Sequence, residues 1–144
     1  MIVLALCIGL FLGQPAGMNP TVVQASDSPV RLDRAKILNV VAGEPPVLLY
    51  SATNLTDDEL EQFTVLVFIF DAQGQLKARQ VAPGRRTLEA RGTKYSAMVL
   101  DGSTIGAADQ IVIGVNQAQR ASSETWWRTD LQAAAETAAK RKIP

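Results

Sequence analysis

Lys94 and Ser96 stand two residues apart, so on an extended strand they point to one face. That is the placement a lysine base needs to take a proton from a serine hydroxyl. Any i, i+2 pair on a strand shares a face, however, and the same two residues read equally well as a polar edge facing water. A second cluster is acidic: Asp57, Asp58, Glu59 and Glu61 fall within five positions. Glycosidic acid–base chemistry needs two carboxyls across a cleft, usually from separate elements, whereas these four lie in one connection. Calcium needs six to eight oxygens, and the Asp-x-Asp-x-Asp-Gly spacing that supplies them is missing. The cluster therefore reads as a solvated loop. Thr56 and Glu59 form a capping-box pattern there, which suits a single helical turn.

The wider inventory narrows the chemistry further. The 144 residues contain no histidine and one cysteine, Cys7. Ser-His-Asp and Cys-His catalysis are excluded, as is a disulfide framework, and zinc, copper and haem iron lose their preferred ligands. Gly102 and Gly106 are not followed by Gly-Lys-Ser/Thr, so no phosphate-cradling loop is present. Neither a metal nor an organic cofactor is expected. With 14 basic and 14 acidic residues, the net charge is zero, and the basic footprint of a nucleic-acid binder is lacking. The expectation is a non-enzymatic protein.

Two features point instead to binding. Between Lys77 and Lys94 the cations Lys77, Arg79, Arg85, Arg86, Arg91 and Lys94 face only Glu89, a local charge of +5. Lys77 and Arg79 would share a strand face. Such a segment suits anionic lipid headgroups or an acidic partner; it also suits edge strands protected against sheet-to-sheet pairing. The second feature is Trp126-Trp127, followed by Arg128. Adjacent tryptophans are costly to expose. They would staple a terminal helix to the domain, anchor a partner or sit at a membrane interface, or stack on a carbohydrate. The candidate partner-binding residues are thus Trp126, Trp127, Arg128, Lys77, Arg79, Arg85, Arg86 and Arg91.

The elements that would position these residues are mostly strands. Met1–Ser26 carries no charge, and Met1–Gly13 is its most apolar part. As a helix those 13 residues would reach roughly 20 Å, short of a hydrocarbon core of ~30 Å. Val23-Gln24-Ala25 fits a signal-peptidase site, so residues 1–25 read as a cleaved leader, or as a retained anchor or partner-bound apolar tail; the remaining alternative is an ordinary buried N-terminal element. No basic n-region precedes the apolar run. Leu4-Ala5-Leu6-Cys7 resembles a lipobox, but Leu6 is too large for the position before a modified cysteine. About 119 residues would follow the cut, enough for one domain.

Strands are predicted over Val30–Val41, Val47–Thr53, Phe63–Phe70, Gln75–Val81, Arg85–Glu89, Thr93–Leu100 and Gln110–Asn116. Phe63–Phe70 (FTVLVFIF) is apolar on both alternating faces, so it should be central, one face in the core and the other covered by a helix, a neighbouring segment or a partner. Asp71-Ala72-Gln73-Gly74 reads as its hairpin turn. Asp130–Lys142 reads as a helix capped by Thr129, with a stripe of Leu131, Ala135 and Ala138 and an ion pair between Glu136 and Lys140. Alone it would be marginal and needs a docking surface.

These elements predict an antiparallel immunoglobulin-like β-sandwich of about seven strands over residues 26–120. Residues 121–144 would be a Trp-Trp linker and C-terminal helix. The stretch Tyr50–Thr56, then Phe63–Phe70 and Asp71-Ala72-Gln73-Gly74, then the Tyr-bearing Thr93–Leu100, resembles small bacterial exported sandwiches of the FxLYD and fibronectin-like kind, over roughly Pro46–Val115. The resemblance implies adhesion, scaffolding or accessory roles. The combined expectation is an exported accessory subunit, periplasmic or on the outer face of the cytoplasmic membrane, that binds a membrane protein complex or another envelope protein. A free periplasmic module for glycans or peptides is the alternative.

Overall fold

Among the described residues, Leu60–Phe70 forms the most extensively buried strand, because neither of its faces carries a run of polar side chains. In the computed structural model, which describes residues 18–38, 44–82, 87–101, 105–122 and 124–143, the elements in chain order are β1 (Thr21–Val22), β2 (Val30–Leu38), β3 (Val47–Asn54), β4 (Leu60–Phe70), β5 (Leu76–Ala82), β6 (Thr93–Val99), β7 (Gln110–Arg120), β8 (Thr125–Trp127) and α1 (Leu131–Arg141). One sheet has the order β2-β3-β6, and the other β1-β7-β4-β5, with β8 also paired to β7. Every pairing is antiparallel except β1 with β7. The chain is a mainly β protein, a sandwich with one C-terminal helix.

The two faces of β4 feed two cores. Phe63, Val65, Val67 and Ile69 point between the sheets, where they meet Leu48, Tyr50 and Ala52 of β3 and Ile111, Ile113 and Val115 of β7. Leu66, Phe68 and Phe70 point outward and are covered by α1 through Leu131, Ala135 and Ala139, with Val112 and Val23 completing the cluster. The helix is thus the cover that a two-faced apolar strand requires. Its stripe differs slightly from expectation: Ala139 is buried and Ala138 only partly so. The cap residue is Asp130 rather than Thr129 and makes no side-chain capping bond. Glu136 accepts a hydrogen bond from Gln132 at 3.1 Å.

Close approach of α1 depends on Gly114. A Cβ there would lie 2.5 Å from Leu131 Cδ1 and 3.1 Å from Val23 Cγ2. Asp71 closes the β4–β5 hairpin as expected: its Oδ1 accepts the amides of Gln73 and Gln75, each at 2.9 Å, while Gly74 takes φ +79°.

Several boundaries move. β4 starts at Leu60 and β7 runs to Arg120, four residues past the expected end. Residues 39–41, 85 and 86 of the expected strands lie outside the described residues. Of Arg85–Glu89, the described part contributes a single bridge, Leu88 to Leu60. No helical turn forms at Thr56–Glu59. Asn54 is fully buried instead, and its amide donates to the carbonyls of Asp58, Leu88 and Glu89 while its Oδ1 accepts from the Thr56 amide. This local bonding outcompetes the capping box.

Residues 18–25, assigned above to the leader, are built into the sandwich. The Met18 carbonyl accepts from Ile37 N at 2.9 Å, β1 pairs with Val112 and Ile113, and Val23 N donates to Ile113 O at 2.9 Å. The Gln24 side chain donates to Val30 O and accepts from Leu32 N.

Candidate functional site

Trp126 and Trp127 are not a linker. They lie on β8, which pairs Gln119 with Thr125, Ala118 with Trp126 and Gln117 with Trp127. Three residues are too few to show a strand periodicity, so the sequence carried no signal for this element. Strand alternation sends the two indoles to opposite faces. Trp126 turns inward with Ala118 and packs, partly buried, on the main core. Its Nε1 donates to Asp27 Oδ2 at 3.1 Å, across 99 positions of sequence. Trp127 turns outward and is 58 % exposed.

β8 occupies only part of one edge of β7. Upstream, the same edge holds β1. An extra residue, Asn116, sits where the β4–β7 register slips, so odd-numbered β7 backbone groups face β1 and even-numbered ones face β8. Arg120 N donates to Glu124 O and Arg128 N to Asn116 O, both at 3.0 Å. Positions 124, 126 and 128 therefore direct their backbone groups at β7, and the N–H and C=O of Thr125 and Trp127 point away from it. Among the described residues, no hydrogen bond reaches these outward groups.

Two open hollows flank this edge. One, of about 450 Å³, lies between β8 and the Asp27–Pro29 and Leu55–Thr56 segments. The other, of about 540 Å³, is walled by Gln24, Asp27, Thr129 and Asp130. Both are lined by Trp126 and Trp127. The result is a strand edge with unused backbone groups, an exposed indole and polar walls of both charges.

The other candidate residues do not join this site. Arg128 is 10 % exposed and serves the fold: Nη1 donates to Val23 O at 2.8 Å and Nε to Asp130 at 3.1 Å. Lys77 bonds Asp109 Oδ2 at 2.6 Å. Lys77 is the extra residue where the β4–β5 register slips, between the Ile69–Ala78 and Phe70–Leu76 pairs. Arg79 is exposed opposite Phe68. Arg85 and Arg86 lie outside the described residues. Arg91 sits in a turn at φ +59°, its Nε 2.9 Å from Asp57 Oδ1, beside the Leu60 end of β4. Phe68 and Leu60 are eight residues apart, roughly 26 Å along the strand, so Arg79 and Arg91 do not share one patch.

The Arg91 guanidinium, by its hydrogen bond and then its charge, holds the Asp57 carboxyl below the ordinary carboxylate value; Asp57 raises Arg91 in return. Lys94 donates to the Thr87 carbonyl, and Ser96 is buried. Among the described residues there is no group of three or more side chains placed to hold a metal ion, and no helix long and apolar enough to cross a membrane.

No protein-family model matches the chain, and no curated protein matches it. Among solved structures it is similar to the X-ray structure of Northeast Structural Genomics Consortium target SoR45, at TM-score 0.43 and 14 % identity over 71 % of this chain and 82 % of that one.

Proposed function

We propose that this protein is a non-catalytic β-sandwich that binds a partner protein along the β8 edge. An extended segment of the partner adds as a further strand, bonding the outward backbone groups of Thr125 and Trp127, while the Trp127 indole anchors one of its side chains. The observation that carries this reading is the exposed indole beside an unpaired strand edge. An inventory without histidine supports the non-catalytic part. The uncharged, apolar Met1–Gly13 run supports placement in a bacterial envelope, as an accessory subunit of a membrane-associated assembly.

The test is co-purification from detergent-solubilised membranes, followed by amide exchange on the recovered complex. Trp127→Ala should lower partner recovery at least tenfold while leaving Tm nearly unchanged. The amides of Thr125 and Trp127 should gain protection when the partner is bound. Equal recovery with Trp127→Ala, or no protection at those amides, refutes the reading.

One observation favours a second reading. Trp127 lines an open hollow beside Gln24, Asp27, Thr129 and Asp130, an aromatic platform with polar neighbours that suits a glycan ring. Saturable quenching of Trp127 fluorescence by oligosaccharides, absent in Trp127→Ala, would support this reading over the first.

A further inference from the structure

We infer that the outward face of the β2-β3-β6 sheet is a contact surface for an anionic lipid bilayer. This surface lies on the side of the sandwich opposite α1 and apart from the Trp127 groove, so it goes beyond the function proposed above.

The face is built by register. Leu38, Val47 and Val99 form one cross-strand row, Lys36, Leu49 and Ala97 the next, and Tyr95 stands opposite Ser51 beyond them. Leu38 is 44 % exposed, Val99 63 % and Tyr95 68 %. Seven large apolar side chains are exposed among the described residues, and this one face holds three of them. A contiguous apolar patch of this kind marks a contact surface.

Charge selects the occupant. Among the outward positions of the three strands the only acid is Asp33, and Arg31 neutralises it at 2.7 Å. Arg34, held at φ +50° where the β2 register slips, and Lys36 are left over. Arg34 Nη1 reaches the Tyr95 hydroxyl at 3.2 Å. A net +2 beside an apolar patch, with a tyrosine between them, is the arrangement of an interfacial membrane contact: the long cations reach headgroups while the apolar groups enter the acyl boundary. A second copy docked face to face would set +2 against +2, which disfavours self-association.

The position of the chain's apolar run agrees. Met18 is bonded to Ile37, the neighbour of Leu38, at the apolar corner of this face. Only residues 14–17 separate Met18 from the Met1–Gly13 run, so Gly13 lies within about 18 Å of Met18 along the chain.

The test uses the full chain with Cys7→Ser. An environment-sensitive fluorophore is placed on Ala97→Cys, or on Ala133→Cys on the exposed side of α1 as the control. With vesicles of equal phosphatidylglycerol and phosphatidylcholine, the probe at 97 should shift to the blue and the probe at 133 should not. Arg34→Glu with Lys36→Glu should weaken the titration about tenfold or more, with circular dichroism unchanged. An equal shift at 133, an equal shift on phosphatidylcholine alone, or no effect of the charge reversals overturns the proposal. So does a matching shift with soluble polyglutamate, which would mark an acidic polypeptide as the occupant. A dimer in light scattering that Val99→Glu abolishes would assign the face to a second copy.

Discussion

Asn54 shows how much one side chain can organise without chemistry. Its amide donates to three carbonyls from two separate loops while its oxygen accepts a backbone amide, all without contact to solvent. The three carbonyls keep second donors in Leu60 N, Gly92 N and the Thr56 hydroxyl, so Asn54→Ala would strand the Thr56 amide and empty a fully buried site; a loss of about 2–3 kcal/mol is expected, measurable by urea unfolding. The Asp57–Arg91 pair is the contrast. Its carboxyl titrates below the ordinary value, so its contribution is present above the unfolded carboxylate range and is lost as pH falls through the lowered folded value. Because the pair is fully exposed, solvent screens it. Asp57→Asn should therefore leave the acid limb of a Tm-against-pH curve almost unmoved; a clear shift of that limb would show the pair to be worth more than its exposure allows. Neither role was visible in the residues alone. Asn54 reads as the first residue of a polar connection, and the acidic loop gives no hint of which cation would reach it.

At the scale of elements, β1 tests how the first part of the chain is used. Two residues of ladder are little by themselves, but Met18 and Val23 each add a backbone bond and Gln24 adds two, while Val23 also accepts from Arg128 and fills the space above Gly114. A chain starting at Met18 should fold with nearly the Tm of the full chain. One starting at Ser26 should melt several degrees lower, as expected when a few kcal/mol is lost from a domain of this size. Equal melting of the two would show that β1 merely lies on the sheet. β4 was readable because β-branched and aromatic residues fill both alternating faces. β8 was not, since its three residues hold no period and its identity depends on the bulge that frees the even-numbered edge of β7.

Among the described residues the molecule has two cores, divided by the β7-β4 pair. The inner one joins the sheets; the outer one exists only because α1 lies over Leu66, Phe68 and Phe70. Ending the chain at Asp130 would expose those side chains on the outer face of the larger sheet. Such a truncation should bind the dye ANS and aggregate at concentrations where the full chain is monodisperse. A soluble, dye-negative truncation would mean that the outer face can be covered without the helix. The same architecture disperses the +5 segment. Lys77 and Arg91 fall near opposite ends of β4, so cations crowded in sequence are separated in space, while Arg34 and Lys36 meet an apolar patch through the pairing of three strands.

Composition and periodicity by themselves determined the class of this protein: a β-sandwich, a helix in need of a docking face, and a side-chain inventory without histidine chemistry. Those properties depend on residues near one another in the chain, or on none in particular. The tertiary structure alone decided which edges stay open, which indole is buried, where each cation ends up and what residues 18–25 do. Each of these is set by a contact between distant segments, such as Asp27 with Trp126 or Val23 with Arg128, and such contacts leave no period in the sequence.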